Sequence, residues 1–240
     1  MPLENGTMAL VAVLLVGLLA VTQSSPARPA SVGTAAALDE LLLEYDSNIR
    51  PPGDGPTEVG VTTAITIAEW CSNRLSITYF FKRKWNDSRL KFKGYKEIRV
   101  AMPAKIWEPA LYSPVEIDFQ LLNDGYILIK PDGEVSSVQR GTSVLPCILT
   151  ADDVYMHDGK LNCTFSIGSF GHSSDEVLLR WDKPPTINKA AQKQCSLVHS
   201  DEIVTPTSSG NYSQVCLTLE VNTGVTKALL DHVIQQMTTG

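Results

Sequence analysis

Cysteines are the first residues in this sequence whose type and spacing bear on chemistry: Cys71, Cys147, Cys163, Cys195 and Cys216. In an oxidising compartment such side chains close loops, and an odd number leaves at least one thiol over. Cys147 and Cys163 enclose 15 residues, and Cys195 and Cys216 enclose 20. A bridge across either loop would contribute ~3 kcal/mol by restricting the unfolded chain. Neighbour pairing is one of several connectivities open to four cysteines. Cys71 follows Trp70 in an apolar stretch and reads as a buried, inert thiol. A catalytic role for it would need a histidine and an orienting group nearby. His157, His172, His199 and His232 are scattered, and nothing local joins one of them to Cys71. No histidine or cysteine spacing fits a zinc site. Asp152-Asp153 with Asp158 reads as a solvated acidic loop rather than a calcium site. The expectation is therefore a chain without catalysis, metal or cofactor.

Asn86-Asp87-Ser88, Asn162-Cys163-Thr164 and Asn211-Tyr212-Ser213 are glycosylation sequons, which matter only for a secreted chain. Secretion is what the N-terminus suggests. Met8 to Val21 is an apolar run of 14 residues, shorter than the ~20 a membrane span needs. The small, polar stretch TQSSPARPA follows, so residues 1–24 read as a signal peptide. Asn5-Gly6-Thr7 lies ahead of that core and is discounted. No later apolar run is long enough to span a bilayer, which predicts a soluble, extracellular mature chain. The 240 residues carry a net charge of −6 and are 43% hydrophobic. That is enough apolar matter for a core, and the acidic balance argues against a nucleic-acid partner.

The elements that must position these residues are mostly strands. Residues 34–46 form the best early helix, with Thr34 as cap and Pro51-Pro52 as terminator. From Val59 onward the alternation has period two. Strands are expected at 59–67, 75–85, 96–100, 125–130, 134–144, 161–167 and 176–181. Residues 195–198 and 212–221 read as a final hairpin with a long Ser/Thr/Gly/Pro tip. Short strands at this spacing, with Pro131-Asp132-Gly133 as a turn, predict a β-sandwich or barrel. In the last residues Val225, Leu229, Leu230, Val233, Ile234 and Met237 fall on one helical face, and Lys227, Asp231, Gln235 and Gln236 on the other. This amphipathic tail is either a frayed end or a short oligomer-forming helix.

Several motifs then fall into one order: Tyr45-Asp46 and Arg50-Pro51 after the helix, Trp85-Asn86-Asp87-Ser88-Arg89-Leu90, and Ile106-Trp107-Glu108-Pro109. Asp132-Gly133-Glu134-Val135, the 147–163 cysteine loop and Ile167-Gly168-Ser169-Phe170 follow. From about residue 34 to 222 this series resembles the extracellular ligand-binding domain of Cys-loop receptors. It is most similar to the soluble acetylcholine-binding proteins, which are that domain without a channel. The resemblance implies an all-β, ten-strand, Ig-like twisted sandwich over residues 25–222 with an N-terminal helix, which leaves the amphipathic tail over 223–240 as a separate segment. It also implies a homopentameric ring that holds a small-molecule ligand between neighbouring subunits, and a Cys147–Cys163 bridge.

Carried over by motif, the principal face would use Tyr112, Phe170 and Tyr212. The complementary face would offer Phe80, Leu128, Ser136 and Val138. Aromatic faces attract an amine by cation–π interaction, worth ~0.5–2 kcal/mol each. Trp85, Trp107 and Arg89 read as structural. The departures are informative. Phe170 stands where the family usually has tryptophan, and the hairpin lacks adjacent cysteines and a second aromatic. Cys195 and Cys216 would instead bridge its arms, as in glycine-type receptors. The Phe-Pro-Phe-Asp of the loop becomes Tyr155-Met156-His157-Asp158. Weak or absent acetylcholine binding is expected, with a cationic or amphipathic ligand in its place. The competing readings are a non-ligand-binding accessory or scaffold subunit and the ectodomain of a truncated receptor channel subunit.

Overall fold

The computed structural model describes residues 30–239 apart from 116 and 123. The expected signal peptide, residues 1–24, lies outside the described residues. Helix α1 (Ala30–Leu41) leads into β1 (Thr57–Cys71), β2 (Arg74–Asn86), β3 (Ile98–Ala101), β4 (Leu111–Tyr112), β5 (Asp118–Leu121), β6 (Tyr126–Ile129) and β7 (Glu134–Pro146). Helix α2 (Ala151–His157) precedes β8 (Lys160–Ser169), β9 (Val177–Trp181), β10 (Thr186–Ile187), β11 (Cys195–Thr207), β12 (Gly210–Asn222) and helix α3 (Lys227–Thr239). Of these strands β4 and β10 span only two residues, and the other ten match the ten-strand expectation.

The strands form two sheets. One has eight strands in the order β10-β1-β2-β7-β6-β3, with β5 added to β7 and β9 to β1. The other has four, in the order β11-β12-β8-β4. Period-two alternation sends Leu75, Ile77, Tyr79, Phe81 and Trp85 of β2 inward, to meet Phe165, Ile167, Leu217, Leu219 and Val221 of the second sheet. Tyr79 touches Phe165 edge-on across the sandwich, ring centroids 5.1 Å apart. Each such side chain contributes ~1.5–3 kcal/mol by leaving water.

Helix α1 differs from the 34–46 expectation. Thr34 lies inside it rather than at its cap, and it ends ten residues before Pro51. The apolar period continues to Tyr45, but the Tyr45 hydroxyl is anchored on Asp87 at 2.8 Å. That tertiary contact pulls the chain off the helical path.

The expected buried Cys71 is exposed. The cause is a β-bulge between Ile65 and Ile67 in the pairing with β2. Before it Val59, Val61 and Ile65 face the core; after it Ala68 is buried, while Ile67, Glu69 and Cys71 point out. One extra residue inverts the facing of everything that follows.

Cys147 and Cys163 form a disulfide, Cα to Cα 5.5 Å. The expected Cys195–Cys216 bridge is absent, and both are free thiols. Cys195 pairs with Val221 and Cys216 with Asp201 in the β11–β12 ladder. The two therefore sit about five residues apart along the hairpin. At ~3.3 Å per residue that is about 16 Å, far beyond disulfide reach. The long hairpin tip is also corrected. β11 runs to Thr207, so only Ser208 and Ser209 separate the arms. Pro206 is tolerated because β11 is an edge strand.

Inside the disulfide loop, α2 accounts for the acidic cluster. The Asp153 carboxylate accepts from the Thr150 N–H at 2.8 Å and its hydroxyl at 2.6 Å, and Thr150 Oγ1 accepts from the Asp153 N–H. This capping box holds the Asp153 pKa below the usual carboxylate value. Among the described residues no helix is long and apolar enough to cross a membrane.

Candidate ligand-binding faces

The site begins with a knot that fixes the loop before β4. Asp87 is fully buried, and its carboxylate accepts from the Arg89 N–H (3.1 Å), Arg89 Nε (2.9 Å) and Nη2 (2.7 Å), and the Tyr45 hydroxyl. Asp87 raises the Arg89 pKa. Burial, then the bond to Asp87, raises that of the Tyr45 hydroxyl. Arg89 lies 4.3 Å over the Tyr45 ring and also donates to the carbonyls of Asp46 and Ile49. The Tyr45 oxygen in turn accepts the Trp107 N–H at 3.0 Å. Trp107 packs edge-on against Trp85, centroids 5.9 Å apart. Gly133, with φ +86, closes the neighbouring turn, and a Cβ there would lie 2.5 Å from the Asp87 carbonyl oxygen. Trp85, Trp107 and Arg89 are thus structural parts of one anchor.

From that anchor the chain reaches β4, where Tyr112 pairs with Gly168 of β8, and Gly168 pairs with Gln214 of β12. Phe170 follows β8 directly, its N–H bonded to the Ala110 carbonyl at 2.9 Å. The Tyr112 and Phe170 rings meet edge-on at 5.8 Å. Gly168 leaves room for this. A Cβ there would lie 3.0 Å from a Tyr112 ring carbon and 3.1 Å from Gln214 Cγ. Tyr212 lies two residues beyond Gln214 on the same face of β12, level with Phe170, and its hydroxyl is 3.3 Å from Ser209 Oγ. The three principal residues therefore share one end of one sheet, and Phe170 is 62% exposed.

The four complementary residues share the outer face of the other sheet. Leu128 pairs with Ser136, and Ser136 with Lys84; Val138 pairs with Lys82, and Phe80 with Arg140. Ser136 is buried, whereas Phe80 is 50% exposed. Lys82 and Arg140 beside Phe80 take part in no ion pair among the described residues, while Lys84 is held by Asp182. Sequence reasoning missed Lys82 and Arg140, although the spacing Phe80, Lys82, Lys84 along a strand was a usable signal. Arg83 faces the opposite way. It is buried and donates to Glu108, Ser137 and Gln139. Burial lowers its pKa, and Glu108 opposes that.

The outer faces of two sandwiched sheets point away from each other. One copy therefore cannot bring the two residue sets together, whereas head-to-tail contact between copies can. The depression under the disulfide loop (about 420 Å³) and another beside Lys84 and Asp182 (about 440 Å³) contain none of the seven expected site residues. Asn86, Asn162 and Asn211 are all exposed. No cluster among the described residues could hold a metal ion.

Residues 34–223 match the family model for the neurotransmitter-gated ion-channel ligand binding domain. Among curated proteins, the chain is 29% identical over 161 residues to the gamma-aminobutyric acid receptor alpha-like protein of Drosophila melanogaster, covering 62% of this chain and 23% of that one. It is 25% identical over 213 residues to gamma-aminobutyric acid receptor subunit beta of Caenorhabditis elegans, covering 80% and 38%. Identity to subunit alpha-2 of Rattus norvegicus is 31% over 161 residues, covering 62% and 35%. The matched region spans less than two fifths of each of these relatives.

Proposed function

Since this chain belongs to the neurotransmitter-gated ion-channel ligand binding domain family, we propose that it acts as a secreted, glycosylated ring of five identical copies. In this reading it binds a small molecule reversibly at each interface, without catalysis. The ligand carries both an amine and an acid group. The observation that carries this reading is Phe80, half-exposed, with Arg140 directly across the ladder and Lys82 next along the same face. Those two cations suit a carboxylate. The Tyr112, Phe170 and Tyr212 rings of the neighbouring copy suit an ammonium group through cation–π attraction. The naming of the relatives as gamma-aminobutyric acid receptors supports the same ligand class. A purely cationic ligand would meet like charge on the complementary face.

The test is titration calorimetry on the secreted protein with gamma-aminobutyric acid and choline as probes, after its mass is fixed by light scattering. The expected result is a pentamer that binds one gamma-aminobutyric acid per interface. Phe170→Ala and Arg140→Gln should each weaken binding ~3–30-fold, a loss of about 0.7–2 kcal/mol. A monomer, or unchanged affinity in both variants, sinks the assignment. Preference for choline would return the ligand to the cationic class.

A further inference from the structure

Helix α3 is a feature the ligand-binding reading does not use. At 13 residues it is too short to be stable alone in water. Two polar contacts fasten it to α2: the Tyr155 hydroxyl donates to Asp231 at 3.0 Å, and Lys227 lies 5.6 Å over the Tyr155 ring. Its apolar stripe is left open. Leu229 is 50% exposed, Val233 42%, Ile234 44% and Met237 75%; on adjoining α2 Tyr155 is 42% and Met156 76% exposed. Together these side chains leave on the order of several hundred Å² exposed, the size of patch that marks an interaction site on a soluble protein. A stable interface buries ~800 Å² per partner, so this surface would form a substantial part of one.

We infer that α3 is a self-association element that packs against the α2–α3 face of another copy of this chain. The stripe has the pattern for it. Leu230, Val233 and Met237 recur at the three- and four-residue spacing of a helix-packing seam, flanked by Leu229 and Ile234. The surrounding charge favours protein over lipid. The polar side of α3 offers Lys227 against Asp231, and Asp152, Asp153 and Asp158 lie on and beside α2. A membrane-surface helix would be rich in lysine and arginine instead. The position fits as well. β12, which carries Tyr212, runs into α3 through only 223–226, so copies that meet along the sandwich bring their α3 helices to one level. The inference rests on the ring reading and adds a second tier of contact at the disulfide-loop end.

The experiment is sedimentation velocity over a dilution series. It compares the full chain with the triple variant Leu229→Gln, Val233→Gln, Met237→Gln, and separately with Met156→Gln. Glutamine keeps helix propensity while removing the apolar surface. Urea unfolding checks that the sandwich is intact. The expected result is a wild-type ring whose dissociation midpoint moves at least ~10-fold higher in concentration in the triple variant and less in Met156→Gln. A wild-type ring that the triple variant leaves unchanged overturns this inference alone. A chain that is monomeric throughout overturns the ring reading and this inference together. If the variant changes only co-sedimentation with phosphatidylcholine–phosphatidylserine vesicles, α3 is a lipid contact and the inference fails.

Discussion

Replacing Asp87 by asparagine removes one charge and turns one acceptor oxygen into a donor while keeping the side chain's size. In the native protein that carboxylate is fully buried and accepts from three groups of Arg89 and from the Tyr45 hydroxyl. The new amide would point its N–H toward Arg89 or Tyr45, which are themselves donors. It would also leave the guanidinium without its anion. Breaking a buried pair from one side costs ~3–5 kcal/mol. The Arg89 side chain is 23% exposed and keeps some hydration, so the lower end applies, about 3 kcal/mol. For a domain of this size the midpoint of thermal unfolding would drop by ~6–12 °C. Urea unfolding analysed by linear extrapolation should show the loss at unchanged slope. The loss should persist at high salt, because the pair is shielded from the ionic atmosphere. A double-mutant cycle with Arg89→Met isolates the pair. The double variant should be barely less stable than Asp87→Asn alone, for a coupling of about 2 kcal/mol. A loss under about 1 kcal/mol, or a coupling near zero, would refute the view that this knot anchors the Trp107 loop.

Three further outcomes follow from the packing of the sandwich. The three free thiols should differ in reactivity, with exposed Cys71 alkylated first, half-buried Cys216 later and buried Cys195 last. Burial pushes the Cys195 thiol up to about 11, while an unfolded cysteine ionises near ~9. The native state therefore holds that proton longer, so the contribution of Cys195 to stability is constant below about 9 and is lost as pH rises from about 9 toward 11. Mass tagging of the folded protein checks the order, which early labelling of Cys195 would contradict. Urea unfolding from about pH 8 to 11, compared with Cys195→Ala, checks the pH dependence, which an unchanged difference between the two would contradict. Gly141→Ala would place a Cβ 2.6 Å from the Tyr79 ring. Tyr79 is buried, and its hydroxyl lies 2.9 Å from Ser143 Oγ, so it has little room to yield. The expected cost is ~1–3 kcal/mol in urea unfolding, and a neutral substitution would show the core to be looser than the packing implies.

The sequence by itself determined which faces of the strands are apolar, and so that two sheets enclose one core. Alternation along Leu75 to Trp85 settles that locally, because successive side chains on a strand point to opposite faces. The ordered motifs also sorted Tyr112, Phe170 and Tyr212 from Phe80, Leu128, Ser136 and Val138, but that the first set lies at the end of one sheet and the second on the outer face of the other came from strand pairing. Helix α2 was within reach of the sequence too, since Thr150 and Asp153 carry the spacing of a capping box. Other features depended on contacts between distant segments. The bulge that turns Cys71 outward depends on how β1 registers against β2. The separation of Cys195 from Cys216 depends on the register of β11 on β12, since cysteine spacing in the chain does not report distance across a ladder. Helix α1 stops at Leu41 because Tyr45 finds Asp87, 42 residues away. Lys82 and Arg140 become one cationic pair around Phe80 only when β2 lies beside β7. Local periodicity sets the side each residue faces; the pairing of remote strands, a long-range choice among near-equal registers, sets its neighbours.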